Sequence, residues 1–253
     1  MDNTKFEELV TIVRKLRKEC PWDKEQTNDS IKAATIEEAY EVVDAIDKND
    51  FNEFKKELGD LLLHIVFHSI MAEEKNKFNI NDVIGSIKEK LIKRHPHIFS
   101  NVKVNNSDDV KRNWEVIKLK EGRESVLEGI PVNLPSLQKA HRLQEKASKV
   151  GFDWEEKEDI WKKVEEELYE MHEAEKEKSK EELEEEIGDV FFALINYVRF
   201  IGFNPEVALR KTNKKFINRF NYIEKRLKEN GKKIGESNLE EMDFYWNESK
   251  KLF

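Results

Sequence analysis

One pattern of acidic residues occurs twice at a fixed spacing, and it limits the possible folds more than any other feature of the chain. Residues 37–41 read Glu-Glu-Ala-Tyr-Glu and residues 57–60 read Glu-Leu-Gly-Asp. Residues 166–170 read Glu-Glu-Leu-Tyr-Glu and residues 186–189 read Glu-Ile-Gly-Asp. Adding 129 to Glu37, Glu38, Glu41, Glu57 and Asp60 gives Glu166, Glu167, Glu170, Glu186 and Asp189, with no insertion between them. Tyr40/Tyr169 and Gly59/Gly188 keep the same register. Glutamate is abundant here, so one Glu-Glu-x-x-Glu match would mean little. Five acids in step indicate a duplicated structural unit.

The duplication sets the domain plan. A chain of 253 residues suits two domains of roughly 120 residues each. Gly122, Gly129, Pro131 and Pro135 interrupt helical patterning and mark the junction. We therefore expect domains at 1–122 and 136–253 joined by a linker at 123–135. Trp114-x-x-x-Lys118 and Trp246-x-x-x-Lys250 repeat at an offset of 132, which implies a small insertion ahead of this tail. The alternative is a single helical domain with chance acidic runs.

Nine glycines and five prolines are too few for a chain of tight turns, and 39% of residues are charged. Abundant Glu and Lys favour helices throughout, so the expected class is all-α, a tandem repeat of two small helical bundles. The formal charge of −8 argues against a nucleic-acid partner, which calls for a basic face. Cys20 is alone, so a reducing compartment is the natural reading. The first residues show no basic patch followed by an apolar stretch, and the apolar runs near Leu61–Phe67 and Val190–Val198 fall far short of the ~20 residues that cross a bilayer. A soluble, cytoplasmic protein without a membrane partner is expected.

Apolar spacing predicts helices over about 5–19, 28–48, 50 onward and 81–95, with Asp50 capping one of them and Pro96 ending the last. In the second copy it predicts 136–149, 161–176, 181–202, 205–229 and 240–251. Residues 173–186 are nearly all charged and read as a solvated or frayed connection. At ~100° per residue, Glu37, Glu38 and Glu41 share about a third of their helix, nearly opposite Ile36, Ala39, Tyr40 and Val43. Glu57 and Asp60 flank a stripe of Phe54, Leu58, Leu61 and Ile65. The helix pair is expected to bury these stripes and bring its acids together.

Five converging carboxylates repel one another unless they are protonated or bind hard cations. All-oxygen ligands suit Mg²⁺, with Mn²⁺ as a substitute, better than Zn²⁺. An exposed acidic face without a ligand is the bland alternative. Glu57, Asp60, His64 and His68 lie in one row and raise an iron reading, but the second copy has Ala193 and Tyr197 in place of the histidines. His95 and His97 flank Pro96 and read as a helix stop.

Glu-Glu-x-x-Glu followed by Glu-x-x-Asp on the next helix resembles the signature of the all-α nucleoside triphosphate pyrophosphatases, and the tandem arrangement resembles bacterial MazG proteins. So do Cys20-Pro21-Trp22-Asp23-x-x-Gln26-Thr27, Arg94-His95-Pro96-His97-Ile98-Phe99, Gly151-Phe152-Asp153-Trp154 and Lys215-Phe216-x-x-Arg219-Phe220. The resemblance covers essentially the whole chain. It implies Mg²⁺-dependent hydrolysis of nucleoside triphosphates to monophosphate and pyrophosphate, a broad substrate range, a nucleotide-pool cleaning role and a homodimer.

Carried over by motif position, Glu38, Glu41, Glu57 and Asp60 would hold metal in the first copy, and Glu167, Glu170, Glu186 and Asp189 in the second. Glu37 and Glu166 would hold a second ion or act as the base that orients water. The triphosphate needs basic partners. Lys215 and Arg219 sit four apart on one helical face and match the family's basic pair, and Lys90 and Arg94 share that spacing in the first copy. Lys250 would join them. Trp246 and Trp114 could stack on the nucleotide or serve as core. Asn196 shares a face with Asp189 and could bond the nucleotide, whereas the first copy has Phe67 there. The second copy is thus the better catalyst. A module that only senses nucleotides remains the alternative from a different class.

Overall fold

A computed structural model of the chain describes residues 3–106, 109, 110, 113, 114, 117, 125–177 and 179–253. It divides into two compact units, residues 1–106 and 107–253. The division falls before the expected 123–135 linker, and Val126 and Glu128 of that stretch accept hydrogen bonds from the Lys146 ammonium at 2.8 and 2.9 Å. Gly122 and Lys118 lie outside the described residues.

The first unit contains α1 (Asn3–Glu19), α2 (Pro21–Glu25), α3 (Lys32–Lys48), α4 (Phe51–Glu74), α5 (Ile80–Arg94) and α6 (Pro96–Phe99). Helix α3 stops at Asn49, whose left-handed backbone (φ 56°) lets its N–H reach Ala45 and Ile46 carbonyls. One residue later, the Asp50 carboxylate accepts from the Asn52 and Glu53 N–H groups and starts α4, as expected. Replacing Asp50 with alanine should cost about 1 kcal/mol of stability, read from a denaturant midpoint. Helix α5 opens at Asn79 rather than Asn81, because Asn79 and Asp82 form a reciprocal capping box. His95 ends it, its Nδ1 lying 2.7 Å from the Leu91 carbonyl, which fits the helix-stop reading.

The second unit contains α7 (Ser136–Ser148), α8 (Lys157–Glu177), α9 (Lys180–Phe200), α10 (Pro205–Glu229), a short 3₁₀ turn (Ile234–Glu236) and α11 (Leu239–Ser249). Among the described residues, the charged stretch 173–186 is helical on both sides of Lys178 and mostly solvated, with Ala174 buried and Ser179 forming a capping box with Glu182. Among the described residues, no helix is long and apolar enough to cross a membrane.

The cores correct one expectation. In the first unit Val13, Ile31, Val66, Phe67, Ile70, Met71 and Ile80 are buried together, so α1 and α5 pack on the C-terminal half of α4. The stripes expected to be buried between α3 and α4 are instead largely exposed: Ile36 at 58%, with Tyr40, Ile46, Leu58 and Ile65 also open. Ala45 and Glu57 are buried in their place. The helices meet through the faces that carry Glu38, Glu41 and Glu57. The larger apolar side chains are turned outward.

Candidate metal and nucleotide site

The inward turn of those faces gathers the acids. In the first unit, oxygens of Glu38, Glu41 and Glu57 lie within 4.8 Å of one another. Glu57 is only 8% exposed. Burial, then hydrogen bonding with Glu53 and Glu41, pushes its carboxyl up to about 7. Burial, followed by the charge of Glu41, also raises Glu38. Asp60 is near enough to add to that rise but is not one of the three converging groups. Glu37 is exposed.

Histidines border this cluster. His64 Nε2 lies 3.9 Å from Glu38 Oε1, and Thr35 Oγ1 lies 2.9 Å from His64 Nδ1 and 2.8 Å from His68 Nε2. His68 Nδ1 is 2.8 Å from Asn28 Oδ1, and burial lowers its pKa, so this ring is held neutral. The network ties α4 to α3 and the segment before it. His64 and His68 are thereby engaged with a threonine, which weakens the iron reading.

In the second unit, Glu167, Glu186 and Asp189 bring carboxylate oxygens within 4.8 Å. Glu170 is exposed on α8 and is not among the three. Glu167 is 7% exposed, and the Lys163 ammonium stands 2.7 Å from it and 2.8 Å from Glu166. Hydrogen bonds to Glu166 and Glu167 raise the Lys163 pKa, so the lysine stays charged. The first copy has Ala34 at the matching position, so this lysine has no counterpart there. Sequence reasoning missed Lys163. Its spacing of three and four ahead of the two acids was the available signal.

A cavity of ≈ 750 Å³ opens beside the second cluster, with Lys163, Glu167 and Asp189 on one wall and Phe152, Trp154 and Phe192 among its apolar lining. Its loop wall is strapped down. Gly151 adopts φ 90°, a left-handed turn that suits glycine, and two residues later Asp153 forms a two-pronged ion pair with Arg199 at 2.5 and 3.0 Å. Arg199 also donates to Asn196 Oδ1, and Asn196 lines the cavity as expected. In the first unit Phe67 takes that position and is packed into the core.

The remaining sequence-predicted binders lie elsewhere. Trp246 packs with Phe216 and Phe220 on a small core of Ile223, Leu227 and Tyr245. Arg219 sits 5.5 Å from the Trp246 ring and donates to the Phe253 carbonyl. Lys250 donates to Asn247, and Lys215 is exposed on α10. None of these four lines the cavity. Lys90 and Arg94 lie on α5, near its C-terminal end.

Two helical units, each converging three carboxylates from a helical hairpin, make an all-α protein with two acidic clusters that could hold a metal ion. The MazG nucleotide pyrophosphohydrolase domain matches residues 26–99 and 155–223, once per unit. The chain belongs to the MazG family. It is 44% identical over 97% of its length to a Thermotoga maritima protein described as nucleoside triphosphate pyrophosphohydrolase/pyrophosphatase MazG, covering 95% of that protein. It is 39% identical to the Escherichia coli K12 nucleoside triphosphate pyrophosphohydrolase, covering 97% of each. A crystal structure of a MazG-related protein from Thermotoga maritima aligns over 45% of this chain and 98% of its own, at 25% identity and a TM-score of 0.41.

Proposed function

We propose that this chain hydrolyses nucleoside triphosphates to the monophosphate and pyrophosphate, with its second unit as the principal active site. The observation that supports this most is the junction of three carboxylates with a nucleoside-sized, largely apolar cavity in that unit. Like charges so close together, all on oxygen, fit a hard divalent cation. We assign Mg²⁺, with Mn²⁺ as substitute, to Glu167, Glu186 and Asp189 with Glu170 beside them. Glu38, Glu41, Glu57 and Asp60 form the matching set in the first unit. A cation held by these carboxylates would supply neutralisation of phosphate charge.

The chain's own groups do the rest. Lys163 lies on the cavity wall and takes a first share of phosphate charge. Glu166 and, in the first unit, Glu37 are left to order water or to hold a second ion. Asn196 offers its amide N–H to the nucleotide, since its carbonyl is taken by Arg199. Lys215, Arg219, Trp246, Lys250, Lys90 and Arg94 stand as secondary proposals for the triphosphate tail. A broad substrate range is supported by a cavity whose lining is mostly apolar, and a cytoplasmic nucleotide-cleaning role is proposed from the family resemblance.

A second copy of the chain is the proposed partner. Its support is the row of outward apolar side chains on the same hairpins that carry the acids, Tyr40, Leu58, Tyr169 and Phe191 among them. Incubation with a nucleotide panel and Mg²⁺ should release pyrophosphate and monophosphate in equal amounts, from a species of twice the chain mass by light scattering. Orthophosphate as the sole phosphate product would refute the assigned bond cleavage.

A further inference from the structure

The cavity beside the second cluster contains a polar group that the hydrolysis reaction does not use. Gln144, on α7, is 7% exposed and lines the cavity. Its Nε2 donates to the Phe192 carbonyl on α9 at 2.8 Å, which fixes which end of the carboxamide faces the helix. Its Oε1 is buried and has no hydrogen-bond partner. A buried acceptor in this state is costly to maintain, and native proteins rarely leave one without a role.

We propose that Gln144 Oε1 is the base-reading acceptor of the nucleotide site, receiving an N–H from the pairing edge of the nucleobase. This rests on the hydrolase reading above for the orientation of the ligand. The carboxylates and Lys163 mark the phosphate end of the cavity, and the apolar walls from Leu143, Ala147 and Trp154 mark the base end. An amide oxygen repels phosphate oxygens, so only a donor can satisfy it. Oε1 is shielded in its present rotamer. The terminal torsion of a glutamine is broad, and rotation about it would turn the oxygen toward the cavity while loosening the bond to the Phe192 carbonyl.

Asn196 supplies the complement. With its carbonyl taken by Arg199, its side chain offers N–H groups from the adjoining helix face. An acceptor beside a donor matches the paired donor and acceptor present on the pairing edge of every standard base, in one orientation or another. The site therefore selects for a base that carries an edge N–H, whatever its identity, and rejects bases stripped of that donor. The first unit has no counterpart: Phe67 stands for Asn196, and the residues 129 and 130 before Gln144 are Lys15 and Arg14.

The test compares ATP with purine riboside 5′-triphosphate, which lacks the exocyclic amine and has no edge donor. Pyrophosphate release gives kcat/KM, and calorimetry with the α,β-methylene analogues of both gives affinities that need no turnover. One neutral hydrogen bond of this kind predicts a preference for the amine-bearing nucleotide of about tenfold in the unaltered protein. In Gln144→Met, which keeps the side-chain volume but has no donor and only a weakly accepting sulfur, the ratio should collapse to about one. Gln144→Leu serves if that variant fails to fold by circular dichroism. A purely structural role would lower both nucleotides together and leave the ratio intact. Equal use of the two nucleotides by the unaltered protein, or a preference that survives both substitutions, overturns the proposal. Tenfold discrimination in binding without any pyrophosphate would sink the hydrolase reading and leave this one standing. Loss of all binding would sink both.

Discussion

Exchanging Glu167 for glutamine should lower pyrophosphate release by about three orders of magnitude while leaving the melting temperature unchanged or slightly higher. Glu167 is the most enclosed acid of the second cluster, and glutamine keeps its shape while removing its charge. A ligand charge lost from a catalytic cation site weakens stabilisation of the developing phosphate charge by several kcal/mol, and ~4 kcal/mol in the barrier corresponds to roughly a thousandfold in rate. Stability should move the other way, because Glu186 and Asp189 lose a like-charged neighbour. Lys163 keeps Glu166 as a partner, so no cation is stranded. Glu38→Gln in the first unit should leave most of the activity, since Phe67 fills the place that Asn196 holds beside the second cavity. Steady-state rates for the two variants over a Mg²⁺ series decide the matter. Equal losses from both substitutions would show that the two units share the work, contrary to the assignment.

The sequence shows the duplication and the helical class, because each depends on local spacing, and it names all six acids that converge, together with Asp60 and Glu170, which do not. Helix boundaries set by a single side chain were legible too: Asp50 caps α4 just where its position promised. What could not be read was the inward face. Helices α3 and α4 carry both an acidic stripe and an apolar stripe, and burial of the apolar one is the default expectation for a chain folding alone. The structure turns the acids in, with Glu57 buried and Ile36 open. Periodicity within one helix cannot rank two such faces. The cavity was hidden for a different reason. Gln144, Asp153, Lys163 and Arg199 come from α7, a loop, α8 and α9, and nothing in their local spacing joins them. Lys215 and Arg219 share one face of α10, and Arg219 meets Trp246 of α11 at 5.5 Å beside the small core of that helix pair, but none of the three lines the cavity.

Without a divalent ion, the first unit should lose stability as pH rises from about 5 to 8, and Mg²⁺ should restore it most strongly at the alkaline end. Burial and the neighbouring Glu53 and Glu41 lift Glu57 from 4.5 to about 7. Between those two values the folded chain holds a proton at this site that the unfolded chain has released. Stability therefore falls with rising pH, and the contribution present below 4.5 is gone once pH passes 7. Glu74, lowered chiefly by its hydrogen bond with Arg17, acts in the opposite sense, and its contribution fades only on acidification. A difference curve against Glu57→Gln isolates the first effect, because glutamine keeps the neutral form at every pH. A cation bound to Glu38, Glu41 and Glu57 must displace that proton, so binding should release protons below pH 7 and strengthen above it. At a hundredfold excess over its dissociation constant the ion stabilises the folded state by about 2.7 kcal/mol, a rise of ~5–10 °C for a chain of this size. Thermal melts in chelator and in Mg²⁺ at pH 5, 6, 7 and 8 provide the measurement. If the unaltered protein and Glu57→Gln gave parallel curves in chelator, the buried proton would have no part in this cluster. A Mg²⁺ shift independent of pH would likewise show that the ion does not compete with that proton for Glu57.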